Sequence, residues 1–265
     1  RGINKGWTMD EVASRVALPA LYDQDHRTSE RYGVGEHHVR QIYAGLRGWF
    51  DGEESKLFPL QPHERFEKLI AGFGGRGEVA KQASAAFDAD DVRWGMELAT
   101  WLARSTEATT ADKELLARGL RLIAERTPAA NIRNWAITRA RHLDGQTPMD
   151  RFMKHSFGAR AIAHVPSTDL IHTLRVLLDP ARAEGLRAHV RFVVDGESAG
   201  LLLRNCVAVP TDGKDAAVEV AMTRTTLAAI LSNKQLWSAA DITITGDSAV
   251  VDAFRNCFDH VGLQG

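Results

Sequence analysis

Apolar residues recur along the chain with two different periods, and the change of period divides the sequence into three zones. Residues 1 to about 50 mix short helical patterns with turns. Residues from about 60 to 145 follow the helical period almost throughout, whereas those from about 147 to 265 move to the alternation that is typical of strands. The pairs Thr147-Pro148 and Val165-Pro166 bracket the expected linker between the last two zones.

The first zone contains two predicted helices. Thr8 precedes Glu11 by three positions, a spacing that allows a capping box at a helix start, and Pro19 is expected to end this helix. A second helix is predicted over residues 36–46, before a glycine-containing break at 48–52. The residues predicted to share its apolar stripe are Val39, Ile42, Tyr43 and Leu46.

The second zone contains five predicted helices, each with apolar residues at helical spacing. They cover residues 62–73, 78–87, 90–104, 112–125 and 129–143. Pro62 suits the first turn of the first helix, where the missing amide hydrogen costs nothing. The short connections predict antiparallel neighbours, as in arrays of helical hairpins.

The third zone begins with a predicted helix over residues 169–178 and then changes to alternation. Alternating residues at 190–194 predict a strand, and Asp195-Gly196 predicts a hairpin turn after it. Residues 200–209, 217–222 and 241–247 are predicted as further strands, with helices over 225–231 and 248–258. We therefore expect an α+β domain with a mainly antiparallel sheet that helices cover on one face.

Composition narrows the classes of protein that remain. The chain has 265 residues, enough for two domains and part of a third, with 44% hydrophobic and 25% charged residues, the balance of a globular protein. A net charge of -1 argues against a nucleic-acid partner. No apolar run is long enough for a transmembrane segment. Cys206 and Cys257 are expected to be buried free thiols.

We do not expect the first residues to form a signal peptide. Arg1 is not an initiator methionine, and no apolar stretch follows it. We expect the chain to begin in mid-sequence, which leaves the cellular compartment undetermined.

An ordered series of short motifs runs through the chain. The stretch from Asn4 to Glu11, followed by Leu18-Pro19, resembles the end of the catalytic domain of the alkylsulfatases of the metallo-β-lactamase superfamily. The further motifs that match in order are Tyr32-Gly33, Val39-Arg40, Tyr43, the run from Gly48 to Gly52, Leu57 to Pro62, Arg93-Trp94, Glu97-Leu98, Arg133-Asn134 and Leu203-Arg204-Asn205. The departures from the family pattern are His37-His38, Glu53-Glu54 and Cys206, which place the chain in a divergent branch.

The resemblance implies three segments. Residues 1–56 would be the tail of a metallo-β-lactamase-type catalytic domain, residues 57–146 an all-helical dimerisation domain, and residues 147–265 an α+β domain similar to sterol carrier proteins. The implied partners are a second copy of the chain, an alkyl or amphiphilic small molecule and the catalytic domain of the same parent protein. The implied function is homodimerisation and substrate recruitment for an alkyl sulfate ester hydrolase.

The resemblance also implies a zinc cofactor that we do not expect this chain to bind. A binuclear zinc hydrolase of this superfamily needs an H-x-H-x-D-H cluster to activate water. None of the ten histidines stands in such a pattern, so the ligands would precede Arg1. We expect neither metal ligands nor catalytic residues in this chain, and no activity from it alone.

Four residues are candidates for contacting a sulfate ester. The guanidinium of Arg40 matches the oxygens of a sulfate in a bidentate manner, Tyr43 lies one helical turn further on, Tyr32 offers a second hydroxyl, and His38 stands where the family has asparagine. The alternative for Arg40 is a surface ion pair with Glu36, four residues before it. The alternative for His38 is a polar position at a helix start.

Two other functions remain open at this point. The first alternative is a stand-alone lipid-binding carrier. The second is a dimerisation scaffold whose last domain has a completely filled core. An apolar tunnel in that domain would bind a fatty tail, since each buried methylene contributes about 0.8 kcal/mol.

Overall fold

The computed structural model describes residues 1–23, 25–149 and 157–264, which fall into two units, Arg1–Pro148 and Met149–Gly265. The first unit is helical, and the second combines helices with a five-stranded sheet. The predicted fold class, a helical region followed by an α+β domain with a mainly antiparallel sheet, is confirmed.

The first unit begins with a capped helix as predicted. Thr8 Oγ1 accepts a hydrogen bond from the Glu11 amide at 3.2 Å, and the Glu11 carboxylate accepts one from the Thr8 amide at 2.9 Å. The helix ends at Arg15, before Pro19, which instead precedes a further short helix. The helices of this part are α1 Met9–Arg15, α2 Ala20–Asp23 and α3 Gly35–Arg47.

The predicted apolar stripe of α3 is divided between two sides of the helix. Tyr43 is buried against the protein, whereas Ile42 is 61% and Leu46 70% exposed. Neighbouring residues of a helix point about 100° apart, so Ile42 and Tyr43 cannot face the same way. α3 therefore packs against α1 with one side and presents a second apolar side outward.

The remaining helices of the first unit lie where periodicity predicts them. Their bounds are α4 Pro62–Gly72, α5 Arg76–Asp88, α6 Val92–Arg104, α7 Thr110–Arg126 and α8 Ala130–Leu143. Consecutive helices from α5 to α8 pack against each other. Gly95 and Gly119 allow close packing around Phe87, because a Cβ atom at either position would lie 2.5 Å from the Phe87 ring.

A buried polar network joins α5 to α7. The Arg76 guanidinium pairs with the buried Asp112 and donates to Ser105 Oγ at 2.7 Å. Burial acts to raise the pKa of Asp112, but hydrogen bonds from Thr109 and Arg76 outweigh it and lower that pKa below its usual value. The network therefore holds an ionised carboxylate inside the unit at neutral pH.

The sheet of the second unit has the strand order β3-β2-β1-β4-β5, with β1 parallel to β4 and the other neighbours antiparallel. The strands are β1 Ala188–Val194, β2 Glu197–Arg204, β3 Val207–Thr211, β4 Val218–Met222 and β5 Ile242–Thr245. The single strand predicted over residues 200–209 is wrong. A tight turn at Asn205 and Cys206, with φ of 50° and 60°, divides it into β2 and β3.

Short helices accompany the sheet. They are α9 Ala159–His164, α10 Ser167–Thr173, α11 Arg224–Leu231 and α12 Ser248–Arg255. The predicted helix over 169–178 is observed as α10 followed by a 3₁₀ turn at Leu174–Leu177. None of the described helices combines the length and apolarity needed to cross a membrane.

Aromatic and aliphatic side chains fill the space between the sheet and α12. Phe254 lies with its ring centroid 5.9 Å from that of Phe192 on β1 and 4.9 Å from that of Phe258. Val190, Leu201 and the residues of β4 on the same face are buried as well. This packing gives the second unit a dense core on the helix-covered face of its sheet. Cys257 belongs to that core as a buried free thiol, as predicted, but Cys206 is only partly buried.

Candidate functional site

A cleft of about 1240 Å³ lies beside α1 and the first turns of α3. Apolar residues such as Val16, Leu18 and Ile42 line one part of it, and charged residues line another. The charged and titratable residues of the lining are Asp10, Glu11, Glu30, Glu36, His38, Arg40 and Arg93. Two of the four sulfate candidates, His38 and Arg40, are therefore in one cleft.

Arg40 lies in the middle of a chain of alternating charges. Its guanidinium pairs with Asp10 and, at 3.1 Å, with Glu36 Oε1. Glu36 also pairs with Arg93 of α6 at 3.1 Å, and Asp10 with Lys56 at 3.3 Å. The Glu36 bridge considered as the alternative is thus formed, and both carboxylates compete with any external anion for Arg40.

The two carboxylates beside Arg40 are held in their ionised form. The Arg40 guanidinium lowers the pKa of Asp10, and the Lys56 ammonium adds to this effect. Burial acts to raise the pKa of Glu36, but hydrogen bonds from Arg93 and Arg40 outweigh it, and the pKa is lowered. An anion that binds Arg40 therefore competes with charged carboxylates at neutral pH.

A cluster of three carboxylates continues this chain. The ligand atoms of Asp10, Asp51 and Glu53 lie within 4.8 Å of one another, and Lys56 Nζ lies 2.8 Å from Asp51 Oδ2 and 3.0 Å from Glu53 Oε2. The Lys56 ammonium lowers the pKa of Asp51, whose side chain is only 1% exposed. Because the Lys56 ammonium occupies the position that a metal cation would take, we assign a structural role to the three carboxylates.

This cluster is missing from the sequence-based predictions because its members come from separate segments. Asp10 belongs to α1, whereas Asp51, Glu53 and Lys56 follow α3. The one local signal is a pair of acidic residues at 51 and 53 with a lysine shortly after them.

The other candidates have different surroundings. Tyr43 is buried, and its hydroxyl donates to the carbonyl oxygen of Trp7 at 3.1 Å or of Asp51 at 3.2 Å. Tyr32 is 74% exposed, and its carbonyl oxygen accepts a hydrogen bond from the Asn131 amide. Neither tyrosine lines the cleft. The His38 ring lies over Gly33, where a Cβ atom would come 2.7 Å from Nε2.

Family models match both parts of the chain. The alkyl sulfatase dimerisation model matches residues 8–146, which is more than half of the chain, and the alkyl sulfatase C-terminal model matches residues 156–262. The chain belongs to the alkylsulfatase family. The resemblance deduced from short motifs is therefore confirmed, and the second unit of this alkylsulfatase family member corresponds to the C-terminal domain of its relatives.

Individual alkylsulfatases align over nearly all of the chain. A linear primary-alkylsulfatase from Pseudomonas sp. is 30% identical over 98% of the chain and 52% of its own length. An alkyl/aryl-sulfatase from Saccharomyces cerevisiae is 25% identical over 98% of the chain and 41% of its own length. The solved structure of a stereoselective inverting sec-alkylsulfatase from Pseudomonas sp. has a TM-score of 0.80 at 26% identity, over 99% of the chain and 42% of its own length. The chain spans about half the length of these relatives, or less.

Proposed function

We propose that this chain is the non-catalytic part of an alkyl sulfate ester hydrolase, which joins two copies into a homodimer and recruits amphiphilic substrate. The observation that carries the assembly role is the exposed apolar surface of the first unit, the unit that the dimerisation model covers. Large contiguous apolar patches are rare on monomers and mark interaction surfaces.

The outward side of α3 is part of this surface. Ile42 and Leu46 are one helical turn apart, and Trp49, which follows the helix, is 73% exposed. Leu57 and Phe58 add further exposed apolar groups shortly after it. A second copy of the chain that covered this row would remove it from water, and burial of apolar area is the main source of affinity between subunits.

The dimer is tested by placing charges on the α3 row. Ile42→Glu combined with Leu46→Glu is expected to convert a dimer into a monomer in sedimentation velocity. Gln41→Glu, at an exposed position of the same helix, is the matched control and should leave the dimer intact. A wild-type chain that is monomeric at every concentration would contradict the assembly role. A dimer that persists in the double variant would show that the α3 row lies outside the subunit interface. We would then assign this row to a contact with the catalytic portion.

We further propose that the catalytic chemistry lies outside this chain. Residues 1–56 would continue a metallo-β-lactamase-type catalytic domain and contribute α3 to the dimer contact, 57–146 would form the dimerisation domain and 147–265 the sterol-carrier-like domain. A binuclear zinc centre would supply the activated water that attacks the ester. Among the described residues the grouped carboxylates near Asp51 already hold the Lys56 ammonium, so they do not fit such a centre.

Arg40 and His38 are proposed to face the sulfate when the catalytic portion is present, whereas Tyr32 and Tyr43 lie outside the cleft and are not assigned to this contact. The sulfate would take the place of Asp10 on the guanidinium. In a protein that carries both portions, Arg40→Ala should lower kcat/KM for an alkyl sulfate about ten- to a hundredfold, the effect of losing a charged hydrogen bond. Arg47→Ala, which removes an exposed guanidinium of the same helix outside the cleft, is the control. Unchanged kinetics for Arg40→Ala would restrict Arg40 to its ion pairs.

The two alternatives, a stand-alone lipid carrier and a pure scaffold, differ from this proposal in one measurement each. A pure scaffold binds no fatty ligand in a fluorescence displacement assay. A stand-alone carrier binds such a ligand but gives no increase in sulfatase activity when it is added to a zinc-containing catalytic portion.

A further inference from the structure

A groove of about 530 Å³ lies between α9 and α11 in the second unit. Apolar side chains form half of its lining, namely Ile162, Ala163, Ala228 and Ala229. Its volume is within the range of roughly 300–1,000 Å³ that is usual for small-molecule sites. The alanines keep the groove open, because each ends at Cβ where a larger residue would fill the space.

The charged groups of this groove are both cationic. Arg224 and Lys234 line it, and no carboxylate among the described residues does so. The Arg224 guanidinium donates to Ser167 Oγ at 2.7 Å and to the carbonyl oxygens of Val165 at 2.6 Å and Ile162. These acceptors are neutral, so they fix the guanidinium without cancelling its charge.

The carboxylate of Asp195, near the start of α11, does not contribute to the groove. Asp195 accepts a hydrogen bond from the backbone amide of Arg224 at 3.1 Å, at the N-terminal end of α11, and it is not part of the lining. Lys234 is exposed and forms no ion pair within the described part of the second unit. Its ammonium is therefore available to an anion at the end of the groove.

We propose that this groove binds a single-chain anionic amphiphile, with the alkyl tail along the alanines and the anionic head at Lys234 in the field of Arg224. This inference rests on the proposed recruitment of substrate. It adds the location of the binding site and the charge of the ligand's head group. A sulfate ester and a fatty carboxylate share this chemistry, whereas a cationic amphiphile of the same length would meet like charges.

The wild-type chain is tested first with decyl sulfate, decanoate and decyltrimethylammonium, each below its micellar concentration. We expect calorimetry to show binding of the two anions and at least tenfold weaker binding of the cation. Affinity for alkyl sulfates should rise about two- to fourfold per added methylene until the groove is full, which is the effect of partial to complete burial of each group.

Two variants locate the site. Ala229→Phe should fill the groove and abolish the dependence on chain length, and Lys234→Glu should weaken anion binding about three- to tenfold, as for an exposed charge pair. Arg187→Glu, the same charge reversal at an exposed residue outside the groove, should have no effect. Lys234→Glu keeps the test decisive if Ala229→Phe fails to fold.

The outcomes separate the inference from the proposed function. Anion binding that neither variant changes would contradict binding in this groove but would leave the proposed recruitment of substrate intact. No binding of either anion by the wild-type chain would overturn both, while the homodimer would still be judged by sedimentation.

Discussion

At the scale of the residue, Lys56 is expected to stabilise the first unit through its ion pair with the buried Asp51. Lys56→Ala leaves the carboxylate of Asp51 buried without a cation, and an uncompensated buried charge is strongly unfavourable. We expect the free energy of unfolding to fall by about 2 kcal/mol, less than for a fully buried pair because Lys56 is 42% exposed and water screens it.

Chemical denaturation of the purified chain measures this loss. Lys68→Ala, which removes an exposed pair with Glu64, is the control and should change stability little. Equal effects of the two substitutions would show that Asp51 has another source of stabilisation.

Cys206 is a residue in an unfavourable backbone conformation. It follows Asn205 in a turn where both have positive φ, a conformation that costs an L-residue other than Gly about 1 kcal/mol and favours Asn-Gly in hairpins. Cys206→Gly should therefore stabilise the second unit by about 1 kcal/mol in thermal unfolding. Cys206→Ser keeps the backbone penalty, so a serine variant as stable as the glycine variant would refute this explanation.

At the scale of the element, Gly119 determines how closely α7 approaches its neighbours. A Cβ atom there would lie 2.5 Å from both Met96 Sδ and the Phe87 ring. Gly119→Ala should destabilise the first unit by about 1–3 kcal/mol, the cost of overpacking, although alanine is the better helix former.

Gly45 of α3 provides the matched comparison. A Cβ atom at Gly45 meets nothing within 4 Å, so Gly45→Ala should raise the free energy of unfolding by about 0.5–1 kcal/mol. If both Gly119→Ala and Gly45→Ala raise the free energy of unfolding, the helices α6 and α7 can move apart at little cost.

Helix positions could be predicted from the sequence because their signals are local. Thr8, Pro62 and Gly48 mark helix ends by their own chemistry, and the structure has those ends. The turn at Asn205 and Cys206 was missed because cysteine lacks the usual turn signal. The division of the α3 stripe was missed because periodicity identifies apolar faces but not whether the protein or a partner covers them.

The site was less predictable than the fold. Arg40 and His38 share a cleft, and the Glu36 bridge follows from the spacing of four residues. The pairs of Arg40 with Asp10 and of Asp10 with Lys56 join residues 30 and 46 positions apart. No local pattern encodes such contacts, because they depend on how α1 packs against α3.

At the scale of the whole molecule, the two units should respond differently to acid. Asp10, Glu36, Asp51 and Asp112 of the first unit have lowered pKa values. Their contribution to stability is complete above the pKa of the unfolded chain and is lost as pH falls through the lower folded values. In the second unit the Lys214 ammonium lowers the pKa of Asp212, but that pair is exposed and screened.

We therefore expect the first unit to unfold before the second as pH falls below about 4. Tryptophan fluorescence reports the first unit, which contains all the tryptophans except Trp237. Hydrogen exchange of β1 and β2 reports the second unit. Loss of protection in β1 before any change in fluorescence would contradict this order.

In the series of ion pairs from Arg93 through Arg40 to Lys56, the carboxylates of the cleft already bind the guanidinium that an external anion would use. An anion that binds the Arg40 guanidinium competes with Asp10 for it, and Asp10 keeps its second partner Lys56 if it is displaced. Since Arg93 extends the chain to α6, we expect anion binding in the cleft to be linked to the position of α6, and a linkage of this kind acts equally in both directions.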